Sequence, residues 1–125
     1  MAFGHERLDV YVLALKYVAW AFAVCRRLKG LHKNARDQLL RSSQAMPLNI
    51  AEGNGKATQP ERRRYFEIAR ASALESAATQ DVLEVMGAIS TQENSYGKTM
   101  LERIVAMLTG LGGRGYATKD QQDTE

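Results

Sequence analysis

The sequence predicts an all-α protein: an antiparallel up-down-up-down four-helix bundle whose second helix is bent at Pro47. Three observations carry this prediction. The chain has 2 prolines in 125 residues, too few for a many-turned β-sandwich. Apolar residues recur at spacings of three and four along four long segments, as in helices that each bury one stripe. No stretch alternates with period two for long enough to form a sheet, and long helices joined by short loops default to a bundle. At 45% apolar and 25% charged, the composition is that of an ordinary globular chain, which excludes disordered and collagen-like classes. Residues 1–116 read as one domain and 117–125 as a flexible polar tail.

The first segment spans 8–29. Leu8, Val12, Leu15, Ala19 and Phe22 follow one another at four and three residues and read as the seam packed into the bundle. Tyr11, Ala14, Val18, Ala21, Cys25 and Leu28 form a second stripe on a neighbouring face. One core needs one stripe, so the second predicts a partner outside the chain. Tyr11, Val18 and Trp20 are the expected contacts of a homo-oligomer. The apolar run from Val10 to Cys25 is about 16 residues long and interrupted by Lys16, whereas a bilayer span needs about 20. Arg26, Arg27 and Lys29 follow it where a signal peptide would place small residues. The expectation is a soluble, cytoplasmic protein without membrane contact. Gly30 ends the segment.

The second segment, 34–54, contributes Leu39, Leu40, Met46, Ile50 and Ala51 to the core. Pro47 lies inside it and removes the hydrogen bond to the Ser43 carbonyl, which predicts a bend rather than a break. Gly53 and Gly55 mark its end. The third segment opens with Thr58-Gln59-Pro60-Glu61, a capping-box pattern with proline in the first turn, and is expected to reach Ile89. Its Ala- and Ser-rich middle, 69–79, permits close helix approach. Ser90 to Glu93 forms a second capping box and starts the fourth segment, which carries Met100, Leu101, Ile104, Val105, Leu108 and Leu111. Gly110, Gly112, Gly113 and Gly115 stop it.

Little of this points to catalysis. The lone Cys25 rules out an intrachain disulfide and reads as a small buried hydrophobe. His5 and His32 are far apart and read as two exposed loop residues, so no metal or cofactor is expected. Gly53-Asn54-Gly55-Lys56-Ala57-Thr58 departs from a phosphate-binding loop at Ile50 and Ala57, and no strand precedes it. Glu67, Glu75, Asp81 and Glu84 lack the Glu-x-x-His pairs of a di-iron bundle and read as surface or inter-helix pairing groups.

The charge distribution is more informative. Residues 1–64 hold 12 Lys or Arg against 5 Asp or Glu, while 65–125 hold 5 against 9, within a net charge of +3. Two basic clusters stand out: Arg26, Arg27, Lys29, Lys33 and Arg36 around the first connection, and Lys56 with Arg62, Arg63 and Arg64 at the third segment's start. In an up-down bundle these lie at opposite ends. Such clusters suit a phosphate backbone; a solvated helix surface is the competing reading. Three arginines at a helix start oppose its dipole, which favours an external anionic partner.

From Gln38-Leu39-Leu40-Arg41-Ser42-Ser43 through Met46-Pro47-Leu48-Asn49-Ile50-Ala51-Glu52-Gly53-Asn54-Gly55-Lys56, the chain resembles the bacterial four-helix-bundle family encoded in intervening sequences of large-subunit ribosomal RNA genes. Phe3, Leu8 and Val10, and then Glu61, Tyr65-Phe66, Ile68-Ala69 and Ser72-Ala73-Leu74-Glu75, extend the likeness over about 3–112. Lys56 stands where arginine is commoner in that family. The resemblance implies a ring-shaped homopentamer without enzymatic activity. It also implies kinship with the accessory protein of diversity-generating retroelements, which partners a reverse transcriptase and binds RNA. Within the motif, Asn49 and Glu52 are expected to shape the bent helix beside Pro47, and Gly53 and Gly55 to meet backbone requirements. The expected function is thus non-enzymatic binding of RNA or DNA through basic patches, as an accessory to an enzyme such as reverse transcriptase. The alternative is a ring-shaped scaffold that recruits a protein.

Overall fold

The computed structural model describes residues 3–112. Four helices dominate: α1 (Asp9–Cys25), α2 (Lys33–Gly55), α3 (Gln59–Val85) and α4 (Thr91–Leu111), with short 3-10 turns at Gly4–Arg7 and Gly30–His32. No strand occurs among the described residues. The expected tail at 117–125, the domain boundary at 116, and Gly113 and Gly115 lie outside them.

Local chemistry sets the helix ends. Ser90 Oγ accepts from the Glu93 N–H at 3.0 Å while Glu93 Oε1 accepts from the Ser90 N–H at 2.9 Å, a complete capping box at the start of α4. Thr58 caps α3, accepting from the Glu61 N–H at 3.4 Å and donating its hydroxyl to Glu61 Oε1 at 2.9 Å. α3 stops at Val85, short of the expected Ile89. Gly87, at φ +75°, takes the left-handed conformation that closes a helix. Its N–H reaches Glu84 O and that of Ala88 reaches Leu83 O, both at 2.9 Å, the paired bonds of a Schellman motif. α1 likewise ends before residue 29, tightening through Arg27 N–H to Val24 O and Leu28 N–H to Cys25 O. α2 continues through the buried Pro47 without interruption.

Each of α1 and α3 packs on both α2 and α4. Tyr17, Leu39, Met46, Ile50, Phe66, Leu83, Ile104 and Leu108 are almost wholly buried between them. Helix α1 turns a different face inward from the one expected. Val10, Leu13, Ala14, Tyr17, Ala21, Val24 and Cys25 are buried. The supposed seam faces solvent instead, with Val12 42%, Leu15 46% and Phe22 53% exposed. The buried face is neither expected stripe: it takes Ala14, Ala21 and Cys25 from the second and adds Val10, Leu13, Tyr17 and Val24, and the Tyr17 hydroxyl finds a buried partner there.

That partner belongs to a polar layer through the core. Tyr17 donates to Gln80 Oε1 at 2.5 Å, and Gln80 Nε2 donates to Asn94 O and Oδ1 at 3.0 and 2.9 Å. Asn94 Nδ2 donates in turn to Asp81 Oδ1 and Glu84 Oε1. Ser42 and Ser76 share a hydrogen bond of 2.7 Å where the Ala- and Ser-rich part of α3 meets α2. Burial raises the Tyr17 phenol above its usual range, against a smaller opposing pull from Ser76. Every member has a partner, the condition under which a buried polar group is tolerated.

Candidate nucleic-acid interface

The two basic clusters sit at opposite ends of the bundle. The first connection lies beside the start of α4, where Arg27 pairs with Glu93 at 2.5 Å. The start of α3 lies beside the ends of α2 and α4, where Arg62 Nη1 donates to Asn54 O at 2.8 Å and Arg63 Nε to Gly112 O at 2.9 Å.

This placement removes the dipole argument for an external anion at the arginine run. The carbonyl ends of α2 and α4, with their partial negative charge, lie next to the start of α3. Arg62 and Arg63 bind those carbonyls, and the Arg62 guanidinium also stacks 5.6 Å from the Phe66 ring centroid. Lys56 is 3.3 Å from Glu52 and 5.0 Å from the Tyr65 ring centroid, and the Glu52 carboxylate is the main cause of its raised pKa. Arg64 alone of the run is exposed without an ion pair or hydrogen bond among the described residues.

At the other end the balance differs. Arg36 pairs with Asp37 at 3.0 Å and donates to Leu28 O, and Arg27 is held by Glu93. Arg26, Lys29 and Lys33 are exposed and take part in no ion pair among the described residues. Arg26 lies 5.9 Å from the Phe22 ring centroid, a contact that leaves its charge in water.

The motif around Pro47 lies in the second half of α2. Asn49 Nδ2 donates to Ala45 O at 2.8 Å within α2, and Ile50 is fully buried. A Cβ on Gly53 would lie 2.9 Å from Phe66 Cε1, so close helix approach requires glycine there. Gly55 has open space and no positive φ, so the expected backbone requirement applies to Gly53 alone. Glu52 is exposed and serves Lys56. Tyr11, Val18 and Trp20 are half-buried within their own chain. Tyr11 meets the His5 ring edge at 4.7 Å, and Trp20 packs against Tyr17 and Tyr96.

His5 and His32 are half-buried rather than exposed. Burial pushes the Cys25 thiol up to about 11, keeping it protonated at neutral pH. No three His, Cys, Asp or Glu side chains gather as metal ligands among the described residues. None of the described helices is long and apolar enough to cross a membrane. The sequence reading missed Gln80, Asn94 and Gly97. Their one visible signal was glycine in mid-helix: a Cβ at 97 would lie 2.5 Å from the Trp20 ring and 2.6 Å from Gln80 Oε1. An open apolar groove also separates α3 from α4, lined by Ala73, Leu74, Ala77, Leu101 and Val105, with Lys98 and Glu102 at its edges.

Comparison with known proteins places this architecture. No curated protein matches the sequence. A crystal structure of a Bacteroides thetaiotaomicron protein of unknown function, described as from the S23 ribosomal protein family, superposes with a TM-score of 0.76. The alignment covers 82% of this chain and 96% of that one at 18% identity, a likeness of fold. The family model described as 23S rRNA-intervening sequence protein matches residues 6–110, and the chain belongs to that family.

Proposed function

We propose that this chain is a non-enzymatic, self-associating helical protein that holds RNA or DNA by its phosphate backbone at the first helix connection. The observation that carries the reading is the group Arg26, Lys29 and Lys33, three exposed cations without ion-pair partners within one turn region. Arg64 adds a fourth at the opposite end; Arg62, Arg63, Lys56, Arg27 and Arg36 are already engaged and contribute only long-range field. Self-association multiplies a patch that one copy presents weakly. In the homopentamer that the family resemblance implies, five copies would contact one polymer with the gain of linked binding. A reverse transcriptase is the enzyme class such an accessory would serve.

The test is binding of a structured RNA and of duplex DNA over a salt series, comparing wild type with Arg26→Glu/Lys29→Glu/Lys33→Glu. Phosphate contacts predict steep weakening with salt and a loss on the order of tenfold or more in the variant at low salt. Equal affinity for variant and wild type, with both still self-associated, would transfer the assignment to the second reading, a protein-recruiting scaffold. The α3–α4 groove favours that alternative, because an apolar cleft suits a protein side chain better than a phosphate.

A further inference from the structure

We infer that the nucleic acid held at the first helix connection is single-stranded, with a base stacked on the Phe22 ring and its phosphate on Arg26. The inference rests on the phosphate-binding reading proposed above and names the form of polymer that the patch takes. Phosphate contacts alone would suit a duplex equally well. What separates the two is the apolar surface set among the cations.

Phe22 lies in the last turn of α1 and is 53% exposed. Its neighbours on the same helix are small or turned inward. Ala19 and Ala23 are exposed alanines, and Cys25 is buried. The ring is thus left open to a planar group lying flat against it. Arg26, one turn on, holds its guanidinium 5.9 Å from the ring centroid. Ring and cation form a pair, and a nucleotide carries the matching pair, a flat base joined to an anion. Beyond the helix, Leu31 is 94% exposed on a turn that Gly30 makes at φ +59°. Lys29, Leu31 and Lys33 alternate cation, apolar side chain and cation, all exposed. That alternation suits a strand whose phosphates and bases both face the protein.

A duplex cannot use these apolar groups. Its bases already cover one another, and its outer surface offers a phenyl ring mainly sugar and phosphate. A single strand has free base faces, and every base has one, so stacking needs no particular sequence. The carboxylates at this end are engaged: Glu93 by Arg27, Asp37 by Arg36, and Glu84 by Thr91 and Asn94. Charges separate Phe22 from Leu31, whereas a membrane surface would favour one continuous apolar face.

The experiment measures binding of an oligouridylate, and of an RNA duplex of equal strand length, over a salt series by fluorescence anisotropy. Wild type is compared with Phe22→Ala, Phe22→Tyr and Arg26→Glu/Lys29→Glu/Lys33→Glu, while light scattering follows subunit mass. Wild type should bind the oligouridylate more tightly than the duplex. Phe22→Ala should weaken the oligouridylate by at least about fivefold and leave the duplex unchanged. Its salt slope should stay that of wild type, because a stacked base releases no counterion. Phe22→Tyr keeps the ring and should bind as wild type does. The charge-reversed variant should instead lose affinity for both probes and flatten the slope.

An equal loss on both probes in Phe22→Ala, or none on either, would overturn the stacking assignment and leave the phosphate reading standing. A wild type that prefers the duplex would do the same. A loss accompanied by a fall in subunit mass would overturn it by giving Phe22 to a contact between copies. Phosphatidylserine vesicles that depend on Phe22 where RNA does not would overturn it in favour of a lipid surface. A wild type that binds neither RNA would instead refute the phosphate reading beneath it.

Discussion

Replacing Gly97 by alanine tests the packing of α1 on α4 most directly. By helix propensity alone the change should stabilise, since alanine is favoured over glycine by about 1 kcal/mol in a helix interior. The structure predicts the opposite sign. The new Cβ would lie 2.5 and 2.6 Å from Trp20 Cη2 and Cζ3 and 2.6 Å from Gln80 Oε1, all inside contact distance. Either the helices separate, an overpacking cost of about 1–3 kcal/mol, or the Trp20 ring swings outward and forfeits its contact with Tyr17. Displacing Gln80 would further disturb the bonds to Tyr17 and Asn94. The expected net loss is about 1–2 kcal/mol after the propensity gain. Gly110→Ala in the same helix is the control, for nothing lies within 4 Å of its Cβ. Urea unfolding at fixed protein concentration, followed by circular dichroism and by Trp20 emission, measures both. A Gly97→Ala protein as stable as wild type, with unshifted emission, would refute this account of the interface.

Other substitutions separate further contributions. Gly53→Ala should lower stability by about 1–2 kcal/mol through the Phe66 contact, while Gly55→Ala should be neutral or slightly stabilising in thermal melts. Glu93→Gln should cost about 0.5–1 kcal/mol at neutral pH, because the pair with Arg27 is partly exposed and screened. Arg27 and the cap at Ser90 hold the folded Glu93 carboxyl down to about 2, below its unfolded value of 4.5. Its contribution is therefore complete above that unfolded value and lost as pH falls towards 2, so melting curves of wild type and Glu93→Gln should converge across this window. Arg63→Ala should cost about 0.5–1.5 kcal/mol by freeing the carbonyl at Gly112, read from the urea midpoint. Cys25, buried and protonated, should react with a thiol reagent at neutral pH only as fast as the bundle opens, so mild urea should accelerate labelling.

The helices were legible because their punctuation is local. Ser90 with Glu93 and Thr58 with Glu61 are caps readable within four residues; the first forms the complete box as read, whereas Glu61 meets the Thr58 hydroxyl rather than its backbone N–H. Gly87 is equally local, but an apolar pattern running on to Ile89 masked it. The faces of α1 were harder. Between Val10 and Cys25 Lys16 is the single charge, so apolar residues surround the helix and periodicity cannot pick the inward face, which proved to be neither expected stripe. That face is marked by Tyr17 meeting Gln80 across the bundle, a contact 63 residues apart in sequence. The same distance hid the state of the basic clusters. Arg62 and Arg63 were visible as charges, but the carbonyls that bind them come from the ends of two other helices.

The polar layer gives the bundle something like a key code. Sliding α4 by one turn past α1 and α3 would strand Asn94 and Gln80 among apolar side chains, and would drive the Trp20 ring against a residue larger than Gly97. Tyr17, Trp20, Gln80, Asn94 and Gly97 therefore constrain one another as a set. In diverging descendants of this chain, position 97 can acquire a side chain only after the ring at 20 has shrunk. Tyr17 can lose its hydroxyl without harm only where Gln80 has found another donor. Drift at these five positions should proceed in coordinated steps, with most single exchanges removed because the intermediate is poorly packed.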